Sequence, residues 1–125
     1  MTILFIGKET PLRKLIELCF IEVSYEYYSY SCLEDCKLMI KDLSPDLLIL
    51  DLDDFSCKWQ SLNNYLIDQT SDIPVVGLGS AEIQAPENYS NFHYVKTILR
   101  PINPGRFLEE IDEVINSHKG KDNFG

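Results

Sequence analysis

SPDLLILDLDDF, residues 44 to 55, is the stretch on which the fold turns. Leu47 to Leu50 and Leu52 are apolar, and three carboxylates, Asp51, Asp53 and Asp54, stand at the end of the run. A short unbroken apolar run, with Pro45 before it and acids after it, is expected for a strand buried on both faces. Carboxylates repel one another and resist burial. Their position at the exit of the most hydrophobic strand therefore needs a reason.

Working outward from DLLILDL, the chain alternates strand-like and helix-like segments. ILFI (3–6) followed by Gly7 reads as a second buried strand. Thr10-Pro11 starts a helix, since Thr caps and Pro tolerates the first helical position, and Leu12, Leu15, Ile16 and Cys19 follow at helical spacing. VSYEYYS (23–29) alternates Val23, Tyr25 and Tyr27 with other residues and reads as an edge strand. Ser31 and Glu34 match a capping box, the next helix presents Leu33, Cys36, Ile40 and Leu43, and Pro45 stops it.

After the acids, Trp59, Leu62 and Leu66 mark a helix. IPVVGLG (73–79) is strand four, residues 80–93 read as a loop with a helical turn after Pro86, and YVKTIL (94–99) is strand five. Asn103-Pro104 opens a last helix with Phe107, Leu108, Ile111 and Ile115 inward, before a polar end, HKGKDNFG (118–125), expected to fray or to serve as a linker. The sum is an α/β chain whose near-continuous apolar strands predict a parallel sheet covered on both faces. Right-handed crossovers then favour a doubly wound open sheet.

The bulk properties narrow the function. The 125 residues suit one domain, and 45% hydrophobic content suits a folded core. A formal charge of −9 opposes direct contact with nucleic acid, whose phosphates would repel it. No stretch approaches the roughly 18 apolar residues of a membrane span, and MTILFIGKET has no basic region ahead of its apolar run. A cytoplasmic location is expected. Cys19, Cys32, Cys36 and Cys57 read as reduced thiols, and the Cys32/Cys36 spacing alone does not make a zinc site. His93 and His118 are isolated, and Ser80 has no His–Asp partner nearby in sequence, so neither a metal centre nor a hydrolase triad is expected.

Ligands of open α/β sheets bind beyond the carboxyl ends of the strands. That rule gathers Gly7, Lys8 and Glu9, then Asp51, Asp53 and Asp54, then Gly79 and Ser80, then Arg100 and Pro101, on one rim.

SPDLLILDLDD, DIPVVGLGS and ILRPINPGRFLEEIDEVI together resemble the receiver domain of bacterial response regulators, over about residues 2 to 116. The resemblance implies a single (βα)5 domain with strand order 2-1-3-4-5, followed by a polar tail at 117–125. It makes Asp51 the phosphoacceptor equivalent. It also places Gly7 and Lys8 where two acids usually hold Mg²⁺, Gly79 where a Ser or Thr usually stands with Ser80 one step late, Arg100-Pro101 for Lys-Pro, and Thr97 for the aromatic switch residue. The region of strand five and the following helix start also resembles the N-terminal domain of sigma-54-dependent flagellar regulators.

The departures matter physically. Carboxylate attack on a phosphoryl group brings anions together, at roughly 4 kcal/mol per unit-charge pair at about 4 Å and an effective dielectric near 20. A metal normally offsets this repulsion. Here Gly7 has no ligand, Lys8 is a cation and Glu9 is one residue late. Lys8 is expected to pair with Asp51 in place of the metal, with Arg100 approaching from the other side, leaving Asp51 ionised and satisfied.

The expected function is that of an atypical receiver: not an enzyme, free of cofactor and metal, and independent of phosphorylation. It would bind a protein partner or itself in signal transduction or transcription regulation. Two alternatives stand beside it. One is a working phosphoacceptor using Asp51 in a two-component relay, with Mg²⁺ as cofactor. The other is a flavodoxin-like domain that binds a small molecule, for which GLGS (77–80) is the relevant segment, although no phosphate-loop pattern is present. Helix one, Leu12 to Phe20, is a candidate dimer surface extended by Phe20 and Ile21. The tyrosines of YEYYSY (25–30) are an interface candidate if exposed together.

Overall fold

The computed structural model describes residues 1–55, 59–67, 72–81 and 90–124. Its elements are β1 (Thr2–Ile6), α1 (Pro11–Ile21), β2 (Glu26–Tyr30), α2 (Leu33–Leu43), β3 (Leu47–Asp51), α3 (Leu52–Phe55), α4 (Trp59–Tyr65), β4 (Ile73–Gly79), β5 (Phe92–Leu99) and α5 (Pro104–Phe124). All strand pairs are parallel, in the order β2-β1-β3-β4-β5. This is the doubly wound sheet expected from the apolar runs. β3 and β4 are buried along their whole length, because both of their faces are covered.

Strand alternation divides the core into two layers. Ile3, Phe5, Leu47, Ile49, Val76 and Leu78 point to one side, where α1 contributes Ile16 and Phe20 and α5 contributes Phe107 and Ile111. Leu4, Ile6, Leu48, Leu50 and Val75 point to the other, against Cys36 and Ile40 of α2 and Trp59 and Leu62 of α4.

Several local expectations shift. Thr10 caps α1 as expected, its hydroxyl accepting the Arg13 N–H at 3.3 Å. The capping box at Ser31 does not form; Cys32 occupies the cap of α2 and makes no side-chain cap bond. α2 ends at Ser44, which takes the left-handed conformation (φ 46°, ψ 63°) just before Pro45. Asn103 caps α5, its side-chain oxygen accepting the Arg106 N–H at 3.1 Å. The backbone of α5 is helical to Phe124. The expected turn after Pro86 lies outside the described residues, as does Cys57.

β5 begins at Phe92, two residues earlier than the sequence suggests, and contains a bulge. Val75 pairs with Tyr94 but Val76 pairs with Lys96, so Val95 is an extra residue. The insertion flips the alternation. Tyr94 packs on the α2/α4 side while Ile98 packs on the α1/α5 side, and Lys96 reaches Glu110 of α5 at 3.3 Å. Tyr94 and Thr97, three apart, consequently share a face and their hydroxyls meet at 2.5 Å.

Candidate functional site

The carboxyl ends of β1, β3, β4 and β5 converge, and the sequence-derived rim forms there. A cavity of about 350 Å³ is lined by Lys8, Thr10, Pro11, Leu12, Asp51, Asp53, Asp54 and Arg100. Asp51 is its floor and, among the described residues, the one buried charged side chain, at 3% exposure. β3 delivers it there because the chain leaves the strand immediately after it and turns into α3. Asp51 Oδ1 accepts the Asp53 N–H at 3.2 Å across that turn.

Arg100 holds the same oxygen. Its Nη2 lies 3.3 Å from Asp51 Oδ1 and 3.4 Å from Asp53 Oδ2. Arg100 is itself fixed at the end of β5, where its N–H donates to Gly79 O at 3.0 Å. Asp53 is tied further, accepting from the Ser80 N–H at 3.3 Å and from the Ser80 hydroxyl at 3.0 Å. Arg100, Asp51, Asp53 and Ser80 therefore form one network linking β3, β4 and β5. Burial pushes the Asp51 carboxyl above its ordinary range, while the Arg100 guanidinium and the Asp53 N–H act against that rise. The contacts of the carboxylate all fall on Oδ1, which leaves Oδ2 without a bonded partner among the described residues.

The expected Lys8–Asp51 pair does not form. Lys8 Nζ sits 3.2 Å from Asp54 Oδ1, and the Lys8 N–H donates to Asp54 Oδ2 at 3.2 Å. The Lys8 side chain is 73% exposed. It follows the outer acid because α3 carries Asp54 up toward the loop after β1, while Asp51 stays below. Glu9 is exposed and outside the cavity lining.

Gly7 explains why the β1 exit has no side chain to offer. A Cβ on Gly7 would fall 2.7 Å from Asp51 Cβ and 2.9 Å from the Phe5 ring. The first of these is the root of a side chain and has no freedom to move away. Gly77 and Gly79 are also set by packing. A Cβ on Gly77 would meet Leu52 Cδ1 and the Tyr94 hydroxyl, each at 2.5 Å, and one on Gly79 would lie 3.3 Å from Leu52 Cβ. The glycines of GLGS thus make room for Leu52 and Tyr94, as ordinary packing would require. Tyr94, held by Thr97, also stands edge-on to Trp59 with centroids 5.3 Å apart.

The sequence reading missed the Tyr94–Thr97 pair and the role of Asp53. The first depends on a bulge, which leaves no mark in hydrophobic alternation. The second depends on the turn into α3, for which the adjacent acids Asp53 and Asp54 were a signal, since acidic residues favour a helix start.

No family model matches the sequence, and no curated protein matches it. Solved structures do. The signal receiver domain of a putative LuxO repressor protein from Vibrio parahaemolyticus superposes with a TM-score of 0.70 at 16% identity, over 98% of this chain and 95% of that one. A putative response regulator from Chloroflexus aurantiacus gives 0.69 at 19% identity, over 92% and 97%. The lysine decarboxylase LdcF of Francisella novicida gives 0.67 at 15% identity, over 93% of this chain and 17% of that one. At these identities the likeness establishes the receiver/flavodoxin-like fold.

Proposed function

We propose that this chain is a receiver-like domain of signal transduction or transcription regulation that works by docking, to a protein partner or to itself, and not by phosphoryl transfer. The carrying observation is the bridge from Arg100 to both Asp51 and Asp53. A fixed guanidinium neutralises the buried acid from within the protein. Two features support the same reading. Gly7 is crowded against Asp51, so no metal ligand can project there. Lys8 puts a cation, held by Asp54, at the neighbouring position. A strongly hydrated Mg²⁺ normally needs one or two well-placed carboxylates; here Asp51 is held through Oδ1 by Arg100, Asp53 by Arg100 and Ser80, and Asp54 by Lys8. Thr97, at the position the resemblance gives to the aromatic switch residue, is instead bonded to the Tyr94 hydroxyl.

The domain is assigned no catalysis of its own, no resident cofactor and a cytoplasmic setting. No helix among the described residues is long and apolar enough to cross a membrane. The link to sigma-54-dependent flagellar regulators remains part of the proposal at the level of sequence resemblance.

One observation favours the phosphoacceptor alternative: among the described residues Asp51 Oδ2 has no bonded partner, and Asp51 lines the cavity. A direct experiment separates the two. The chain is incubated with acetyl phosphate and Mg²⁺ and its intact mass is measured, with Asp51→Asn as control. The docking reading expects no phosphoryl adduct. An adduct on the native chain that is absent from Asp51→Asn establishes the alternative instead.

A further inference from the structure

The two edges of the sheet are built differently. β5 carries the bulge at Val95 and a lysine at position 96, both of which blunt an edge against pairing. β2, at the opposite edge, has neither. Its ladder to β1 runs without a shift from Thr2↔Glu26 to Ile6↔Tyr30. EYYSY contains no Pro, Gly or Lys, and its tyrosines favour the strand conformation.

Backbone parity decides which groups β2 offers. The Glu26 N–H donates to Met1 O at 2.8 Å, and Tyr30 O accepts the Gly7 N–H at 2.9 Å. Successive residues of a strand alternate in direction, so Glu26, Tyr28 and Tyr30 address β1. The N–H and C=O of Tyr27 and Ser29 therefore point away from the sheet. The described group that reaches them is Arg13 Nη2, 3.5 Å from Ser29 O, and a carbonyl accepts twice.

We propose that β2 pairs antiparallel with β2 of a second copy across a two-fold axis at Tyr28, joining the two sheets edge to edge. In that register Tyr27 of each copy stands opposite Ser29 of the other, and these residues exchange N–H···O bonds. Tyr28 meets Tyr28 at the non-hydrogen-bonded position, and Glu26 meets Tyr30. The pairing sets no like charges opposite one another and places an aromatic pair at its centre.

Charge supports a second copy over a foreign strand. α1, which flanks β2, carries Arg13 and Lys14 near its start and Glu17 just past its middle, and Glu22 caps its end. α2, on the other face, has Glu34 and Asp35 in its first turn and Lys41 in its last. A two-fold axis at β2 runs each helix antiparallel to its counterpart, so basic ends approach acidic ends. This local complementarity works against the repulsion of two chains of −9 each. The inference rests on the docking reading and names its partner, but its test leaves the Asp51 pocket untouched, so either can fail alone.

The test is sedimentation from about 1 μM to about 500 μM, a range that captures micromolar association. The native chain is expected to pass from monomer to dimer. Ser29→Pro deletes an outward N–H while sparing the ladder to β1, and should weaken the dimer at least tenfold, whereas Ser29→Ala keeps the N–H and should retain it. Under mild oxidation Tyr28→Cys should cross-link rapidly, since antiparallel non-hydrogen-bonded pairs lie about 4.5 Å apart at Cα. Tyr30→Cys and the native cysteines should not. If Ser29→Pro fails to fold by circular dichroism, the cysteine pair decides. A native chain monomeric throughout overturns the proposal. So does a dimer in which Tyr28→Cys links no faster than Tyr30→Cys.

Discussion

Lys8 and Arg100 flank the same cavity from opposite sides, yet they are bound in unlike ways. Lys8 is 73% exposed and pairs with Asp54, itself 22% exposed; Arg100 is 36% exposed and pairs with Asp51, 4% exposed. The difference lies in what each carboxylate would do alone. Asp54 is partly open to solvent. Asp51 is almost closed off from it, and an unpaired charge at its depth is costly. A cation at the rim is thus structural only where the acid it meets is shut off from solvent.

Four substitutions press on that contrast. Arg100→Ala should be the most damaging, at about 3 kcal/mol in urea denaturation, because it strands Asp51 and frees Asp53 together. The same change in an Asp51→Asn background should lose much less, and equal losses in both backgrounds would dissolve the network. Gly7→Ala should cost about 2 kcal/mol, the penalty of forcing atoms into an occupied space. Its loss should shrink when Asp51 is also shortened to Gly.

Asp51→Asn alone should stabilise at neutral pH. The folded carboxyl titrates above its unfolded value because burial disfavours the charge. The folded state therefore gains as pH falls through the folded value, and the full cost of ionisation is present above it. The melting temperature of the native chain should accordingly approach that of Asp51→Asn as the pH is lowered toward the ordinary carboxylate range. A native chain already more stable than Asp51→Asn at pH 7 would mean that Arg100 outweighs burial. Lys8→Ala should be the mildest change, below about 0.5 kcal/mol, as for other exposed pairs. A larger loss would erase the contrast with Arg100.

How much of this was legible in the sequence depends on what each feature requires. DLLILDL and IPVVGLG announced buried strands because apolar runs survive any detail of packing, and parallel order followed from them. Asp51 and Arg100 were placed on one rim by topology alone. Lys8 was assigned to the right rim but the wrong acid, since a lysine side chain reaches several neighbours and the turn into α3 decides which is near. Phe20, expected on the outside of α1, is 1% exposed, while Leu18 and Ile21 are 50% and 66% exposed. Phe20 is drawn in by Tyr27 and Phe107, with ring centroids 5.5 and 5.8 Å away, contacts that only the folded chain brings together. Tyr25, Tyr27, Tyr28 and Tyr30 are all half-buried, so the condition set for an interface, several tyrosines exposed together, is not met by exposure alone.

The closeness of Gly7 to Asp51 carries one more consequence. Position 7 is entrenched: a carboxylate introduced there alone would have to displace the root of the Asp51 side chain before it could reach any ion. Reconstituting a metal site in this domain is therefore a coordinated change of at least two positions, with the first step passing through a less stable protein.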